Sequence, residues 1–593
     1  MANEDIGSGR NAIAGTAGPA VGLFRLAVGL AQGVCLYLLF RLTEGEDSWS
    51  QTHPGTFAPL VLIALFLPPV VLAGAGKMRW LTLGMWAVIA ASGLALLGWH
   101  DVARQAGTTG REPTPVMFAF AAAALFIAHH LILTADRARR PVAPYPAYFD
   151  AAWMAGVQLA ASVAFAGAFW LLLWLGAALF NIIGLSFLGD LIEKGWFSLP
   201  LTGLAFATAV HLTDVRESLI RGVRSIALML LSWLLLVLTV LVGAFLCALP
   251  FTGLSGLWET GSATAILLAA TGALIILINA AYQDGREDNL PPRVLQIAVR
   301  AASVLLVPLV GLAVWGLTLR IGQHGLTPDR IIACACALVG AIYVGGYAWA
   351  ALRTFWRPGD WMQPLEPTNL IAAVAAVLAV LALFSPVADP ARLSVADQVA
   401  RLERGKVAPE KFDYDFLQHS SGKAGRAALA KLAASDDPAI ADRAKAAQAE
   451  TVPTDPTGRE DFRPEIGTLP GAPALPEPFF QIVTDDDARR ECRSEGECLA
   501  TVGEAIGFQP NTVLLVQSYR VTIYAEDAEF GTYLPLGTYV PVRCGDETGV
   551  DARDLLRQGK LKAGYESLPG LDTGGQRQSS LSPAAPFACD PPR

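Results

Sequence analysis

The chain has 593 residues, of which 53% are hydrophobic and 16% charged, and its formal net charge is −8. Soluble domains carry about a quarter charged residues, so a mean hydropathy of +0.43 excludes an ordinary soluble protein and calls for lipid to cover the apolar excess. The acidic balance excludes a nucleic-acid partner, which needs a basic face against phosphates.

Nearly all the long charge-free runs precede Pro386, and the remainder is polar, charged and Pro-rich. The first 17 residues lack the basic-then-apolar pattern of a removable signal peptide, so they read as a cytoplasmic tail and the first apolar segment as a retained anchor. A helix needs about 20 apolar residues to cross a ~30 Å hydrocarbon core, with every backbone polar group satisfied internally. That ruler predicts about eleven spans: Ala20–Phe40, Phe57–Ala75, Leu81–Trp99, Pro115–Leu133, Ala151–Leu179, Leu199–Leu212, Ser225–Leu249, Thr264–Tyr282, Val294–Leu319, Ile331–Leu352 and Asn369–Phe384. The sixth is the shortest, and the stretch before it, broken by Asp190, Glu193 and Lys194, reads as an interfacial helix or a re-entrant turn.

With the N-terminus inside, Lys77, Arg79, Arg137, Arg139, Arg140, Arg216, Arg221 and Arg224 all fall in inner loops. Arg104, Arg111, Lys194 and Arg320 fall outside, a bias that matches the enrichment of cytoplasmic loops in Lys and Arg. An odd number of spans then puts the C-terminal region outside the cytoplasm. Cys35, Cys247, Cys334 and Cys336 lie in spans, where a thiol acts as a small buried hydrophobe. Cys492, Cys498, Cys544 and Cys589 lie in the polar C-terminal region, where an oxidising compartment favours disulfides. Their spacing lacks the paired knuckles of structural zinc sites, so no metal or other cofactor is expected; Cys492 with Cys498 and Cys544 with Cys589 is the favoured one of three pairings.

The organisation expected is a transmembrane bundle over residues 18–385, a helical stalk over 386–450, a Pro-rich linker over 451–478 and a small α+β domain over 479–593. In the stalk, Ser394 reads as an N-cap, and Ala427 to Ala449 as part of a helical hairpin. In the last domain, TVLLVQSYRVTIYAE and TYLPLGTYVPVRC read as paired strands and ECLATVGEAIGF as a helix.

Ionisable groups in or beside spans are costly and are therefore the first functional candidates. Arg25, in the first turn of span one, reads as a side chain that snorkels to the headgroups. Adjacent His129 and His130 point about 100° apart and cannot share one ligand. His211 and Asp214 share a face beside Arg216 and Glu217. Glu259, next to Trp258 in a Gly-rich loop, is a lone carboxylate without the partner that acid–base chemistry needs. Asn279, Tyr282 and Gln283 offer hydrogen bonds at helical spacing, which membranes use most often between helices. Arg320 stands in the LRIGQHGLTPDR loop, where Thr327 and Pro328 suit the start of span ten. For a transport path the candidates are Glu259, Asn279, Tyr282, His211 and Arg320. No nucleotide-binding, serine-hydrolase or zinc-protease motif is present, which favours a non-enzymatic role.

The segments FRLAVGLAQGVCLYLL, PFTGLSGLWETGSATAILL, LINAAYQDG, LRIGQHGLTPDRI and SVADQVARLERGKV resemble a bacterial family known as domain of unknown function 4153, over roughly the first 420 residues. The resemblance implies an inner-membrane protein of many spans and supplies no reaction or catalytic residues. The expectation is therefore an all-α polytopic membrane helix bundle with a small extracytoplasmic α+β C-terminal domain. Its role would be transport or sensing of a solute or lipid, or scaffolding of an envelope partner through that domain, with membrane lipids around the bundle. The alternative is a transferase acting on a lipid-linked substrate, with Glu259 as its acid.

Overall fold

Proline at the first helical turn loses no hydrogen bond and has its φ preset for the helix, and five of the apolar segments begin that way. In the computed structural model, residues 18–449 are described apart from 46–47, 106, 108–111, 254–262, 287–289 and 358–360. In the C-terminal part the described residues are 466–468, 473–476, 478–479, 498–503, 511–517, 521–527, 532–539 and 552–557. Eleven helices among them are long and apolar enough to cross a membrane. They are α1 (Pro19–Arg41), α2 (Pro54–Gly74), α3 (Trp80–Ala103), α4 (Pro115–Ala138), α5 (Tyr145–Ile182) and α6 (Gly195–Val215). They continue as α7 (Glu217–Thr252), α8 (Ala263–Tyr282), α9 (Arg293–His324), α10 (Pro328–Trp356) and α11 (Leu365–Leu383).

The sixth span is 21 residues long, longer than its apolar core suggests, because Trp196 to Pro200 joins the helix. The segment before it forms one short helix, Phe187–Ile192. Thr327 caps α10, accepting from the Arg330 backbone N–H, with Pro328 at the first position.

Helices α1 and α6 approach through small residues. A Cβ added to Gly29 would stand 2.4 Å from the Gly203 carbonyl oxygen, and one added to Gly203 would stand 2.2 Å from that of Gly29. Lipid tails are as apolar as leucine, so close backbone packing of this kind holds membrane helices together. One core joins α7, α8, α9 and α10, around Leu235, Leu274, Leu306 and Tyr347. A second joins α2, α3, α4, α10 and α11, around Leu62, Leu97, Ala121 and Val380. Large apolar side chains such as Leu171, Leu172 and Trp174 of α5 remain exposed, as lipid-facing surface requires. Cys35, Cys247, Cys334 and Cys336 are free and on this outer surface. They are not buried as expected, because lipid accepts a thiol as readily as a core does.

After the bundle come α12 (Pro390–Glu403), α13 (Gly422–Ala433) and α14 (Pro438–Ala449), closed over Leu402, Leu417 and Leu429. Ser394 does not cap α12. Asp389 does, accepting from the Ala391 N–H at 3.0 Å, because Pro390 already starts the helix. Ser394 instead donates to the Leu326 carbonyl at 2.8 Å. Arg401 donates to the carbonyls of Gly322 (3.2 Å) and Gln323 (2.8 Å) at the C-terminal end of α9, where a cation is favoured by the helix dipole.

The chain divides at Glu450/Thr451 into two compact units. The second contains a sheet in the order β1 (Ile466–Thr468), β2 (Cys498–Val502), β3 (Thr512–Val516), β4 (Val521–Asp527), β5 (Thr532–Tyr539). β1 pairs parallel to β2, and the other pairs are antiparallel. Strand β1 lies in the Pro-rich stretch expected as a linker. The expected helix at ECLATVGEAIGF is overturned over Cys498–Val502, which forms a strand. Sheet neighbours on both sides, β1 and β3, outweigh the helix preference of Leu and Ala. The TVLLVQSYRVTIYAE run divides into β3 and β4. Phe479, Cys498, Val513, Leu515, Tyr524 and Tyr533 form this unit's core, which the helix α15 (Ala552–Arg557) extends against β3.

Candidate functional site

The stripe of small residues that joins α1 to α6 also carries charge. Gly22, Arg25, Gly29 and Gly33 share one face of α1, as Gly203, Ala207, Val210 and Asp214 do on α6 at helical spacing. Close approach therefore drives Arg25 into protein. Its exposure is 0%, which overturns the expected snorkelling to headgroups. A lone guanidinium there would be prohibitively costly, and a partner is required. Asp214 supplies it through Oδ2, and the Ala75 carbonyl accepts from Nη2 at 2.8 Å. The Arg25 Nε and Nη1 have no partner among the described residues.

A second cation reaches the same carboxylate. Lys77, in the loop between α2 and α3, places Nζ 2.5 Å from Asp214 Oδ1 and 3.2 Å from Gln158 Oε1. Gln158 of α5 donates to Asp214 Oδ1 at 2.6 Å and to Thr213 Oγ1 at 3.0 Å. Burial pulls the Lys77 pKa below the usual lysine range, while Asp214 opposes that shift. Four elements thus meet on one carboxylate.

This cluster forms one wall of a cavity of about 530 Å³. Lys77, Arg137, Arg221 and Arg224 line it against the carboxylates of Asp150, Asp214 and Glu217, and Arg25 stands behind Asp214, so positive charge is in surplus. Arg224 Nη1 lies 2.6 Å from Asp150 Oδ1. Arg137 donates from Nε to the Lys77 carbonyl at 3.3 Å and has no ion pair among the described residues. His129 and His130 share the wall. The Trp86 indole donates to His129 Nδ1 at 3.2 Å, which assigns the proton of a neutral ring to Nε2. That Nε2 is buried and unpartnered. His130 Nδ1 instead meets the Phe126 carbonyl at 2.7 Å. The cavity therefore presents guanidinium, ammonium and imidazole donors around a space sized for a small molecule, and it suits an anion.

A second polar cluster closes the same end of the bundle. Asn279 Nδ2 donates to the Tyr347 hydroxyl at 2.7 Å, and that hydroxyl donates to Asn369 Oδ1 at 2.6 Å. Asn369 Nδ2 donates to Asn279 Oδ1 at 2.6 Å and to the Tyr145 hydroxyl at 3.1 Å. Tyr282 donates to Glu366 Oε1 at 3.0 Å. All these groups serve one another, so the cluster is a tie between α5, α8, α10 and α11 rather than a vacancy.

Asn279 and Tyr282 belong to this tie, His211 packs beside Gly22 of α1, and Arg320 lies at the other end of α9. Glu259, together with Trp258, falls outside the described residues, as do Cys492, Cys544 and Cys589. The described Cys498 is buried at the start of β2. Sequence reasoning passed over Lys77, Gln158 and Arg137. Gln158 is the lone amide in an otherwise apolar stretch of α5, and Arg25 shares its face with three glycines; both were signals of an interior polar site.

A family model described as domain of unknown function (DUF4153) matches residues 57–432. Neither a curated protein nor a solved structure matches the chain.

Proposed function

From the premise that the chain belongs to the DUF4153 family, we propose that this multi-pass membrane protein moves or senses a small anionic solute through the Arg-rich cavity between α4, α5, α6 and α7. The observation that carries this reading is the surplus of cations around a 530 Å³ space into which the unpartnered His129 donor is set. A cavity of that size takes a small molecule. The inner-loop arginines support an inner membrane location with the N-terminus in the cytoplasm. Eleven crossings then carry the C-terminal unit to the periplasm, where it serves as a module for an envelope partner. Disulfides among Cys492, Cys498, Cys544 and Cys589 fit that compartment.

The test is a thermal-stability titration of the purified full chain in neutral detergent with phosphate, sulfate and small organic phosphates, against sodium chloride at equal ionic strength. Specific anions should stabilise the wild type and lose that effect in Arg137→Gln and His129→Ala variants. Equal protection by chloride, or unaltered protection in both variants, would refute the reading. A reporter fused after Arg593 tests the orientation separately, and a cytoplasmic signal would overturn it.

A further inference from the structure

A different cleft, on the opposite side of α4, has an amphipathic lining. About 750 Å³ in volume, it opens between the ends of α3, α4 and α11 and the loop after α4. We propose that it holds an anionic glycerophospholipid, with the phosphate under Arg79, Arg139 and Arg140 and an acyl chain along Leu131, Leu370 and Val374.

Charge is the first support. Asp136 is the one carboxylate among the described lining residues, and it is already engaged. It accepts from the Arg79 backbone N–H at 3.0 Å, from Arg79 Nε at 2.7 Å and from the Thr82 hydroxyl at 2.7 Å. Arg79 is thereby fixed at the rim while remaining 65% exposed. Arg139 and Arg140 have no ion pair or side-chain hydrogen bond among the described residues, and both are exposed. Three guanidinium groups thus line the cleft against one carboxylate, which only Arg79 engages, at a membrane boundary where anionic headgroups are the available counterions.

The backbone is the second support. Arg139 ends α4 in the left-handed conformation, φ 51° and ψ 37°, a place that glycine usually takes because a Cβ crowds the following carbonyl. A cation for the helix dipole does not require this position, since Arg137 already occupies the last turn. Strain kept at a charged rim points to a ligand contact. Apolarity is the third. Below the arginines the wall is Leu131, Ile132, Leu370 and Val374, and the neighbouring Ile371 and Leu378 of α11 are exposed to lipid, so a chain entering the cleft stays continuous with the bilayer.

The experiment uses the purified full chain in neutral detergent, titrated with phosphatidylglycerol, phosphatidylcholine or inorganic phosphate and read by native mass spectrometry and thermal unfolding. Phosphatidylglycerol should bind and stabilise at lower concentration than phosphatidylcholine, and inorganic phosphate should not substitute for it. Loss of one arginine should weaken phosphatidylglycerol about fivefold, on the order of 1 kcal/mol per basic group. That holds for Arg139→Gly and Arg140→Gln, with phosphatidylcholine binding unchanged. Arg139→Gly also relieves the left-handed backbone, so its lipid-free protein should melt no lower than wild type and weakened binding cannot be ascribed to misfolding. The proposal is overturned if the two lipids bind alike, if inorganic phosphate stabilises as well as phosphatidylglycerol, or if both variants keep wild-type affinity. This cleft is separate from the solute cavity, so neither result decides the other.

Discussion

Replacing Asp214 with Asn keeps the shape of the side chain and removes the charge on which Arg25 and Lys77 converge. Arg25, with 0% exposure, would then keep only neutral acceptors, the Ala75 carbonyl and the Asn amide oxygen, and Lys77 would stand beside it as a second buried cation. Removing one partner of a buried ionic group costs about 3–5 kcal/mol, because the stranded charge is not resolvated. The loss should appear as a lower midpoint of denaturation of the purified protein in mixed detergent micelles. Replacing Arg25, Lys77 and Asp214 together by Met, Met and Leu should recover most of it, since an apolar substitute for a buried ionic cluster is often neutral. The defect should also shrink as the pH rises. Burial holds the Lys77 pKa below that of the unfolded chain, so between the two values the unfolded state binds more protons and stability climbs with pH. Without Asp214 the folded value falls further, and the window in which alkali helps widens. An Asn variant within about 0.5 kcal/mol of wild type, the range of ordinary surface substitutions, would refute the whole account of the cluster.

Tyr347→Phe removes the hydroxyl between Asn279 and Asn369 and should cost about 0.6–1.7 kcal/mol, the range of hydrogen bonds between membrane helices, measured in the same denaturation assay. Gly203→Ala puts a methyl group 2.2 Å from the Gly29 carbonyl. Neither backbone can yield without parting α1 from α6, so the yield of monodisperse protein on size-exclusion chromatography should fall sharply; wild-type yield would contradict the close packing. Leu515→Ala, at a position 1% exposed in the C-terminal sheet, should destabilise that unit by about 2–5 kcal/mol. Limited proteolysis should then cleave beyond Thr451 while the bundle persists.

The spans were legible because hydrocarbon length and a ban on unpaired backbone groups leave little choice, and the sixth was underestimated only where Trp196 and Pro200 obscured its start. The ionic cluster was less legible. Arg25, Lys77 and Asp214 are far apart in sequence, and each alone reads as a boundary charge; only the approach of α1 to α6 turns them into one group. The glycine stripe announced that approach, but its consequence for Arg25 depends on which helix faces it. Asn279, a candidate for a transport path by its polarity within a span, bonds Tyr347 and Asn369 across helices. In the C-terminal unit, CLATV carries no local mark that separates a strand from a helix, and sheet pairing across residues distant in sequence decided it.

Helices α5 and α7 have 38 and 36 residues, so at 1.5 Å per residue they are roughly 57 and 54 Å long. The oily slab they traverse is only about 30 Å thick. Asp150 lies in the opening turns of α5, and Glu217, Arg221 and Arg224 in those of α7, the parts of each rod that the slab does not need. On the proposed reading, a dissolved anion arrives straight from water, with no passage through hydrocarbon, and added salt should slow its capture as screening closes in to a Debye length of about 8 Å.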